Sequence, residues 1–254
     1  MSAVRQRVDL LWFLTKKEII LKYKRAYLGF FWSLLNPLLT AVVLFVAFKI
    51  FMRIKMENYT LFLLTALFPW TWFSASVLLS AGSLTGNIHL IKKVLFPRHF
   101  IIIAVIGSQM INLLLSIPIL AIFVFHSGSS PGLSWLVGIP LLTIVQFAVT
   151  LGLSLVCAML NAYFGDMEYL VSIAVSLLFW MTPIIYPIEQ IPEDYRIYMT
   201  LNPLTYLISA WRELILRNSI EWTYVLISTA TAAVVLAFGA FVFHRMGSRL
   251  DEVL

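Results

Sequence analysis

The sequence predicts an all-α integral membrane protein with six membrane-spanning helices. Of its 254 residues, 61% are hydrophobic and only 12% are charged, whereas a soluble domain carries about 25% charged residues. Apolar stretches of the length needed to cross a ~30 Å hydrocarbon core as a helix recur along the chain. The net charge of +6 lies beside these stretches rather than across a folded face, which argues against a nucleic-acid partner.

Residues 2–26 predict an amphipathic helix at the membrane interface. One helical stripe is apolar and consists of Val4, Val8, Leu11, Trp12 and Ile19, whereas Arg5, Asp9, Lys16 and Lys17 lie off it. Such a helix lies in the headgroup plane, with its apolar side in the acyl chains and its lysines against anionic lipid. An ordinary basic anchor beside a membrane span explains the same spacing.

Six spans follow, within residues 28–186 for the first five and 222–243 for the sixth. Their predicted bounds are Leu28–Phe51, Leu61–Ala81, Phe100–Phe125, Trp135–Leu160, Leu170–Tyr186 and Tyr224–Phe243. The fifth is the shortest and is interrupted by Pro183. With both termini in the cytoplasm, twelve of the eighteen Lys and Arg residues fall on the cytoplasmic side, so this orientation is favoured.

Two predicted cytoplasmic loops differ in charge. Gly82–His99 contains a basic run that indicates a short helix ended by Pro97. Asn161–Tyr169 carries two acids, Asp166 and Glu168, and no base. Asp166 could cap the fifth span while Glu168 complements the helix dipole. The pair could equally form a docking surface for a basic protein.

Residues 188–217 predict two short helices on the outer face. Pro192 marks the start of the first helix, and Asn202-Pro203 ends it before a second helix that runs to about Leu216. Each is too short to cross the bilayer, so they form either a re-entrant hairpin or a hairpin lying flat on the surface.

Several absences narrow the mechanism. The spans contain almost no ionisable residue apart from Lys49 near an outer end, so an ion gradient is not the expected energy source. The sequence contains no GxxxxGK[ST] phosphate loop, so this chain does not itself hydrolyse ATP. The histidines lack metal-ligand spacing. No catalytic or metal-binding residue is therefore predicted, although Asp166 and Glu168 are a weak candidate for Mg²⁺ in a lipid-linked sugar transferase.

Polar and aromatic side chains within the spans have two possible uses. Gln109, Asn112 and Gln146 are expected to join helices to one another. Aromatic residues make up 15% of the chain, and their flat faces could line a path along which a glycan slides. The candidates for this path are Phe31, Trp32, Phe68, Trp72, Phe179, Trp180 and Tyr186. Core packing explains most of these aromatics equally well.

Four segments carry a family resemblance, which covers nearly the whole chain. They are KYKRAYLGFFWSLLNPL, LIKKVLFPR, WMTPIIYPIEQIP and LNPLTYLISAWRELI. Together they resemble the membrane subunit of ABC-2-type polysaccharide exporters, which move polyprenyl-linked O-antigen, capsule or teichoic-acid chains. The compact six-span form is most similar to the O-antigen permeases. Residues 1–254 would then form a single ABC-2-type transmembrane domain in the inner membrane.

The resemblance implies a homodimer with the channel between its subunits, and two copies of a separate ABC ATPase. ATP and Mg²⁺ would be bound by that ATPase, with no cofactor on this chain. The implied ATPase-coupling residues are Asn87, Leu90, Lys92, Lys93, Phe96, Arg98, Asp166 and Glu168. The implied outer gate includes Pro192, Asn202, Pro203 and Tyr206.

The lipid-pyrophosphate headgroup of such a substrate could contact Lys22, Lys24 and Arg25. Anchoring to anionic membrane lipid explains these three cations as well. A small-molecule exporter of the same class, or a polyprenyl-phosphate sugar transferase, is the alternative function.

Overall fold

A computed structural model describes residues 3–24, 31–94 and 96–247, and its regular elements are helical. The α-helices in chain order are α1 (Ala3–Tyr23), α2 (Phe31–Leu44), α3 (Tyr59–Ala81), α4 (Ser83–Gly86), α5 (Ile88–Lys93), α6 (His99–His126), α7 (Ser134–Tyr163), α8 (Met167–Met181), α9 (Glu193–Thr200), α10 (Pro203–Arg217) and α11 (Trp222–Gly247). A π-helical segment, Phe45–Phe51, continues α2, and Ile188–Gln190 form a 3₁₀ turn.

Five helices are long and apolar enough to cross a membrane, so the chain is a multi-pass membrane protein. They are Phe31–Phe51, Tyr59–Ala81, His99–His126, Ser134–Tyr163 and Trp222–Gly247. They match five of the six predicted spans, although the start of the first at Leu28 lies outside the described residues.

The predicted fifth span is shorter than expected. Helix α8 ends at Met181 rather than Tyr186, and its 15 residues reach roughly 22 Å at about 1.5 Å per residue. The cause is Pro183, because the residue before a proline is driven out of the helical region. Thr182 accordingly adopts an extended conformation with ψ 138°.

The two ends of the bundle carry different connections. The end where Arg98 bonds to Gly247 and Glu168 packs against Gly82 is named the α1 end. The end where Tyr59 of α3 bonds to Ile185, and Gly132 before α7 bonds to Asn218, is named the hairpin end. In the Gly82–Arg98 segment, the predicted short helix is α5, which stops at Lys93, four residues before Pro97.

Helices α7 and α11 cross at two glycines in the core. A Cβ on Gly239 would lie 2.2 Å from the carbonyl oxygen of Gly152, and one on Gly152 would lie 2.5 Å from that of Val235. Small residues allow such close backbone contact between membrane helices. Helix α7 also packs against α3, α6 and α10, so it is the central element of the bundle.

Helix α1 packs along the first half of α6. Leu14 is buried in a cluster with Phe100 and Ala104, and Thr15 lies beside Gly107. The predicted single apolar stripe is therefore only part of the pattern, because α1 has two apolar faces. Leu11 packs towards α6, whereas the exposed apolar side chains are Val8, Trp12, Phe13, Ile20 and Leu21.

The predicted pair of short helices is confirmed. Helix α9 begins directly after Pro192, and α10 begins at Pro203. The Asn202 side chain caps α10 by accepting a hydrogen bond from the Leu204 amide at 3.0 Å, and proline suits the first helical position because it has no amide hydrogen to satisfy. Helix α9 is mostly exposed, whereas α10 is mostly buried.

Candidate functional site

One exposed face of α2 forms a groove of about 470 Å³. Trp32, Asn36 and Thr40 lie on this face one turn apart, and the Thr40 hydroxyl donates to the Asn36 carbonyl at 3.0 Å. The other lining residues are Leu39, Val43 and Leu44. Asn36 and Thr40 were not predicted, although their spacing of four from Trp32 was readable in the sequence.

Helix α8 presents a second exposed apolar face. Val175 is its one buried residue, and its exposed large side chains include Leu170, Ile173, Leu177 and Trp180. Membrane helices expose apolar residues either to lipid or to a partner subunit. Helices α2 and α8 therefore each have an apolar face that does not pack inside this chain.

The predicted path aromatics fall into two groups. Phe31, Trp32 and Trp180 are about half exposed (52–55%), and Phe179 and Tyr186 are half-buried. Phe68 and Trp72 are buried in the core, where the Trp72 indole donates to the Ile106 carbonyl at 3.2 Å. Phe68 and Trp72 are therefore core residues of this subunit, and their role in a glycan path stays a prediction.

Gln146 links α10 to the centre of the bundle. Its side-chain amide donates to the Pro69 carbonyl at 2.7 Å, and its oxygen accepts a hydrogen bond from the Trp211 indole at 2.7 Å. The residue thus joins α3, α7 and α10, which is the helix-joining role expected for it. At the start of α10, the Asn202 amide donates to the Thr182 hydroxyl at 2.8 Å.

The predicted gate residues lie around this hairpin. Pro192 is exposed, Asn202 is buried, and Pro203 is half-buried. Tyr206 is also half-buried, and its ring centroid lies 5.8 Å from that of Tyr224 on α11. The structure thus places three of the four within or directly beside α10.

Arg212 is a buried cation for which the sequence predicts no role. It is 8% exposed, and its guanidinium donates to the carbonyl oxygens of Pro183 and Ile184 at 2.9 and 3.1 Å. Tyr59 reaches the same segment, donating to the Ile185 carbonyl at 2.9 Å. The available signal in the sequence was a charged residue within the largely apolar segment that forms α10.

A polar cluster joins α1, α2 and α6. The Lys22 ammonium donates to Gln109 at 2.7 Å, and Asn112 donates to the same Gln109 oxygen at 3.0 Å. The Tyr23 hydroxyl donates to Asn112 at 3.0 Å and lies 2.7 Å from the Ser33 hydroxyl. Gln109 and Asn112 therefore join helices as expected.

Of the three predicted headgroup residues, Lys22 and Lys24 are exposed as whole residues, and Arg25 lies outside the described residues. Burial of its ammonium end lowers the pKa of Lys22 to about 8, because removal from water disfavours the charged form.

The predicted coupling residues at the α1 end differ in accessibility. Leu90 and Phe96 pack into the cluster around Leu14, so they support this end from within. Lys92 and Lys93 are exposed on α5. The remaining contacts are Asn87 with the Lys17 ammonium of α1, and Arg98 with the Gly247 carbonyl at 3.1 Å.

Asp166 and Glu168 are both exposed as whole residues, and they differ in the contacts of their side chains. The Glu168 carboxylate accepts a hydrogen bond from the Asn161 amide at 3.2 Å, and the Glu168 amide donates to the Asn161 oxygen at 3.1 Å. A Cβ on Gly82 would lie 2.2 Å from Glu168 Oε1, so this carboxylate packs against the end of α3. Asp166 is exposed and its side chain makes no capping bond. Asp166 thus occupies the N-cap position of α8 without the side-chain bond that one alternative expected, and Asn161 accepts the hydrogen bond from the Glu168 amide instead.

The described residues contain no group of three or more His, Cys, Asp or Glu side chains placed to hold a metal ion. Asp166 and Glu168 thus have no third carboxylate, histidine or cysteine ligand among the described residues.

A family model described as ABC-2 type transporter matches residues 9–216, and the chain belongs to this family. The chain is 38% identical over 246 residues to the O-antigen export system permease protein RfbA of Klebsiella pneumoniae, with 97% of this chain and 95% of the relative covered.

Two further relatives are more distant. A protein of the same name from Myxococcus xanthus is 30% identical over 89% of this chain and 88% of its own length. The polysialic acid transport protein KpsM of Escherichia coli is 24% identical over 81% of this chain and 80% of its own length. The resemblance stated from the sequence motifs is confirmed.

Proposed function

We propose that this chain is the permease subunit of an ABC transporter that exports polyprenyl-pyrophosphate-linked polysaccharide of the O-antigen type across the inner membrane. The observation that carries the proposal is the 38% identity to an O-antigen export permease along 97% of the chain. The chain is a transport subunit and not an enzyme. ATP and Mg²⁺ are held by a separate ATPase.

The proposed topology has six crossings, with α8 as the fifth and both termini in the cytoplasm. Helices α9 and α10 form a re-entrant hairpin that completes the short crossing of α8. Two contacts support this arrangement. Asn218, just after α10, accepts a hydrogen bond from the Gly132 amide at the start of α7. Trp211, earlier in α10, bonds to Gln146. Gln146 is twelve residues into α7, or roughly 18 Å at about 1.5 Å per residue, so α10 extends from the end of the bundle into its interior.

A homodimer forms through the exposed faces of α2 and α8, and the glycan passes between the two subunits. The groove at Trp32, Asn36 and Thr40 supports this assignment, because it offers an aromatic face beside an amide and a hydroxyl. These groups suit a neutral sugar, whose rings have apolar C–H faces and hydroxyl edges. Trp180 on α8 is the matching exposed aromatic.

The ATPase docks at the α1 end, on exposed Lys92, Lys93 and Asp166. Half-buried Asn87, Leu90, Phe96 and Arg98 transmit the movement from within, and exposed Glu168 transmits it through its contacts with neighbouring helices. Glu168 suits this role because it contacts both Asn161 and Gly82, on two different helices. The outer gate consists of Pro192, Asn202, Pro203 and Tyr206.

The pyrophosphate headgroup enters near Lys22, Lys24 and Arg25. Lys22 supports this part of the proposal because its ammonium lies at the junction of α1 with α6, and the hydroxyl of the adjacent Tyr23 lies 2.7 Å from that of Ser33 on α2. Charge-neutral substitutions at the three positions separate a substrate role from lipid anchoring. Loss of export with normal membrane insertion supports the substrate role.

The mass of the complex, purified in mild detergent with its co-purifying chains identified, tests the assembly. Two copies of this chain with two copies of an ABC ATPase are expected. A chain that purifies alone or with a glycosyltransferase contradicts the proposal. In that case, Asp166→Asn with Glu168→Gln distinguishes a transferase, which loses turnover, from a docking loop, which loses coupling to ATP hydrolysis.

Capsule export is the second candidate substrate class, favoured by the similarity to the polysialic acid transport protein. Export assays with each lipid-linked glycan in vesicles containing the complete transporter separate the two. The O-antigen substrate is expected to be transported faster.

A further inference from the structure

A cavity of about 840 Å³ lies between α6, α7 and α11 at the α1 end. Most of its walls are apolar, and it is separate from the α2 groove. We name it the α6–α11 cavity. The residues that line it are Phe96, Arg98, His99, Ile103, Leu151, Leu155, Leu236, Ala240, Phe243, His244 and Gly247.

The way in which the helices cross explains the cavity. Helices α7 and α11 touch backbone to backbone at Gly152 and Gly239. Helix α6 meets α11 at the α1 end, where the His99 and Phe243 ring centroids lie 6.2 Å apart and Arg98 donates to the Gly247 carbonyl at 3.1 Å. An apolar space remains between these contacts, with Leu151 and Leu155 of α7 at its back.

The polar side chains that line the cavity within the described residues are basic. Arg98, His99 and His244 lie at its α1 end, and none of the described lining residues is acidic. Arg7 of α1 is close enough to His99 for its charge to act on the ring. The cavity thus combines a hydrocarbon-like interior with a cationic mouth, and this pairing matches an acyl chain joined to a phosphate.

We propose that the α6–α11 cavity binds an anionic phospholipid of the leaflet at the α1 end. One acyl chain fills the apolar space beside Ala240, and the phosphate lies against Arg98 and His244. The lipid holds α6 and α11 together beyond their contacts at the α1 end, which are His99 with Phe243 and Arg98 with Gly247. This site is distinct from the exported substrate, whose proposed path runs along α2 and α8.

A photoreactive phosphatidylglycerol with a diazirine in its acyl chain tests the site in the full chain purified in mild detergent. Peptide mass spectrometry is expected to find adducts at Leu155, Leu236 or Phe243, and unlabelled phosphatidylglycerol is expected to compete for them. Ala240→Trp fills the cavity and should abolish these adducts. Ala233→Trp, two turns along α11 and exposed, should retain them.

The headgroup preference is tested by competition between phosphatidylglycerol and phosphatidylcholine. Arg98→Gln is expected to lower the preference for phosphatidylglycerol about fivefold, which corresponds to the roughly 1 kcal/mol that a basic residue gains near anionic lipid. Arg53→Gln at the hairpin end is the control and should leave the preference unchanged. Equal competition by the two lipids against the wild-type chain overturns the assignment of an anionic headgroup.

Three further outcomes overturn the proposal. Adducts spread evenly over all exposed helices indicate ordinary lipid solvation. Adducts that occur only after residues 248–254 are deleted indicate that this segment occupies the cavity. Stronger competition by undecaprenyl phosphate than by phosphatidylglycerol assigns the cavity to the carrier lipid. None of these readouts requires transport, so the cavity proposal and the export proposal can fail separately.

Discussion

The guanidinium of Arg212 lies 3.6 Å from the centroid of the Phe62 ring. The same guanidinium donates to the carbonyl oxygens of Pro183 and Ile184. Carbonyl groups that leave a helix inside an apolar environment need donors from elsewhere in the protein. Arg212 provides them from α10, while the ring of Phe62 on α3 covers its face. One side chain therefore fastens the segment after α8 to both α3 and α10.

Replacing Arg212 by methionine should destabilise the protein by about 2–4 kcal/mol, because two buried carbonyl oxygens lose their donor and a cation–π contact disappears. The measurement is the thermal unfolding midpoint in detergent. Arg212→Lys should be nearly as damaging, since an ammonium lacks the planar fork that reaches two carbonyls while stacking on a ring.

The control for Arg212 is Arg217→Met on the same helix. Arg217 is exposed and pairs with Glu213 at 3.1 Å, and an exposed pair of this kind contributes about 0–1 kcal/mol. Equal midpoints for the Arg212 and Arg217 variants would contradict the anchoring role.

The helical plan could be predicted from the sequence because it depends on local signals. Apolar length identified five spans, and the pair Asn202-Pro203 identified the start of α10. Apolar length alone does not locate the end of α8, because the chain stays apolar past Pro183 while the proline takes the residue before it out of the helix.

The site could be predicted only in part, because exposure depends on tertiary packing. Trp32 and Trp72 have the same chemistry, yet one is 52% exposed and the other 1%. Asp166 and Glu168 are two residues apart, yet the partner of Glu168 is Asn161 at the end of the preceding helix. Sequence spacing contains neither distinction.

Gly239→Ala should destabilise the bundle by about 1–3 kcal/mol, the usual cost of inserting a group into a packed interface. The added Cβ would lie 2.2 Å from the Gly152 carbonyl oxygen, and a backbone atom cannot rotate away. Thermal unfolding in detergent measures the loss. Gly86→Ala is the control, because a Cβ there meets nothing within 4 Å. It should be neutral or stabilising by up to about 1 kcal/mol, and a similar loss in both variants would contradict the crossing geometry.

Lys22 should titrate near pH 8, since burial lowers its pKa to about 8 from 10.5. The folded protein then holds this proton less tightly than the unfolded chain. The penalty for charging Lys22 is therefore fully present below about pH 8, and stability rises as the pH increases from about 8 towards 10.5.

Carbon-13 NMR of reductively methylated lysines measures this titration directly. A resonance with a midpoint near pH 8 should be present in the wild-type chain and absent from Lys22→Arg. A Lys22 resonance that titrates near 10.5 would show that its ammonium is hydrated rather than packed against Gln109.

Trp32→Ala should mainly slow export, whereas Trp72→Ala should mainly lower the stability of the fold. Trp32 lies in the exposed α2 groove, so its loss should leave stability within about 1 kcal/mol. Glycan export should slow roughly two- to tenfold, the equivalent of one aromatic contact of about 0.5–1.5 kcal/mol. Trp72 is buried and bonded to the Ile106 carbonyl, so its truncation should cost about 3–5 kcal/mol of stability. Export rates per folded transporter in vesicles, with unfolding midpoints, separate the two effects. Unchanged export by Trp32→Ala removes this residue from the path.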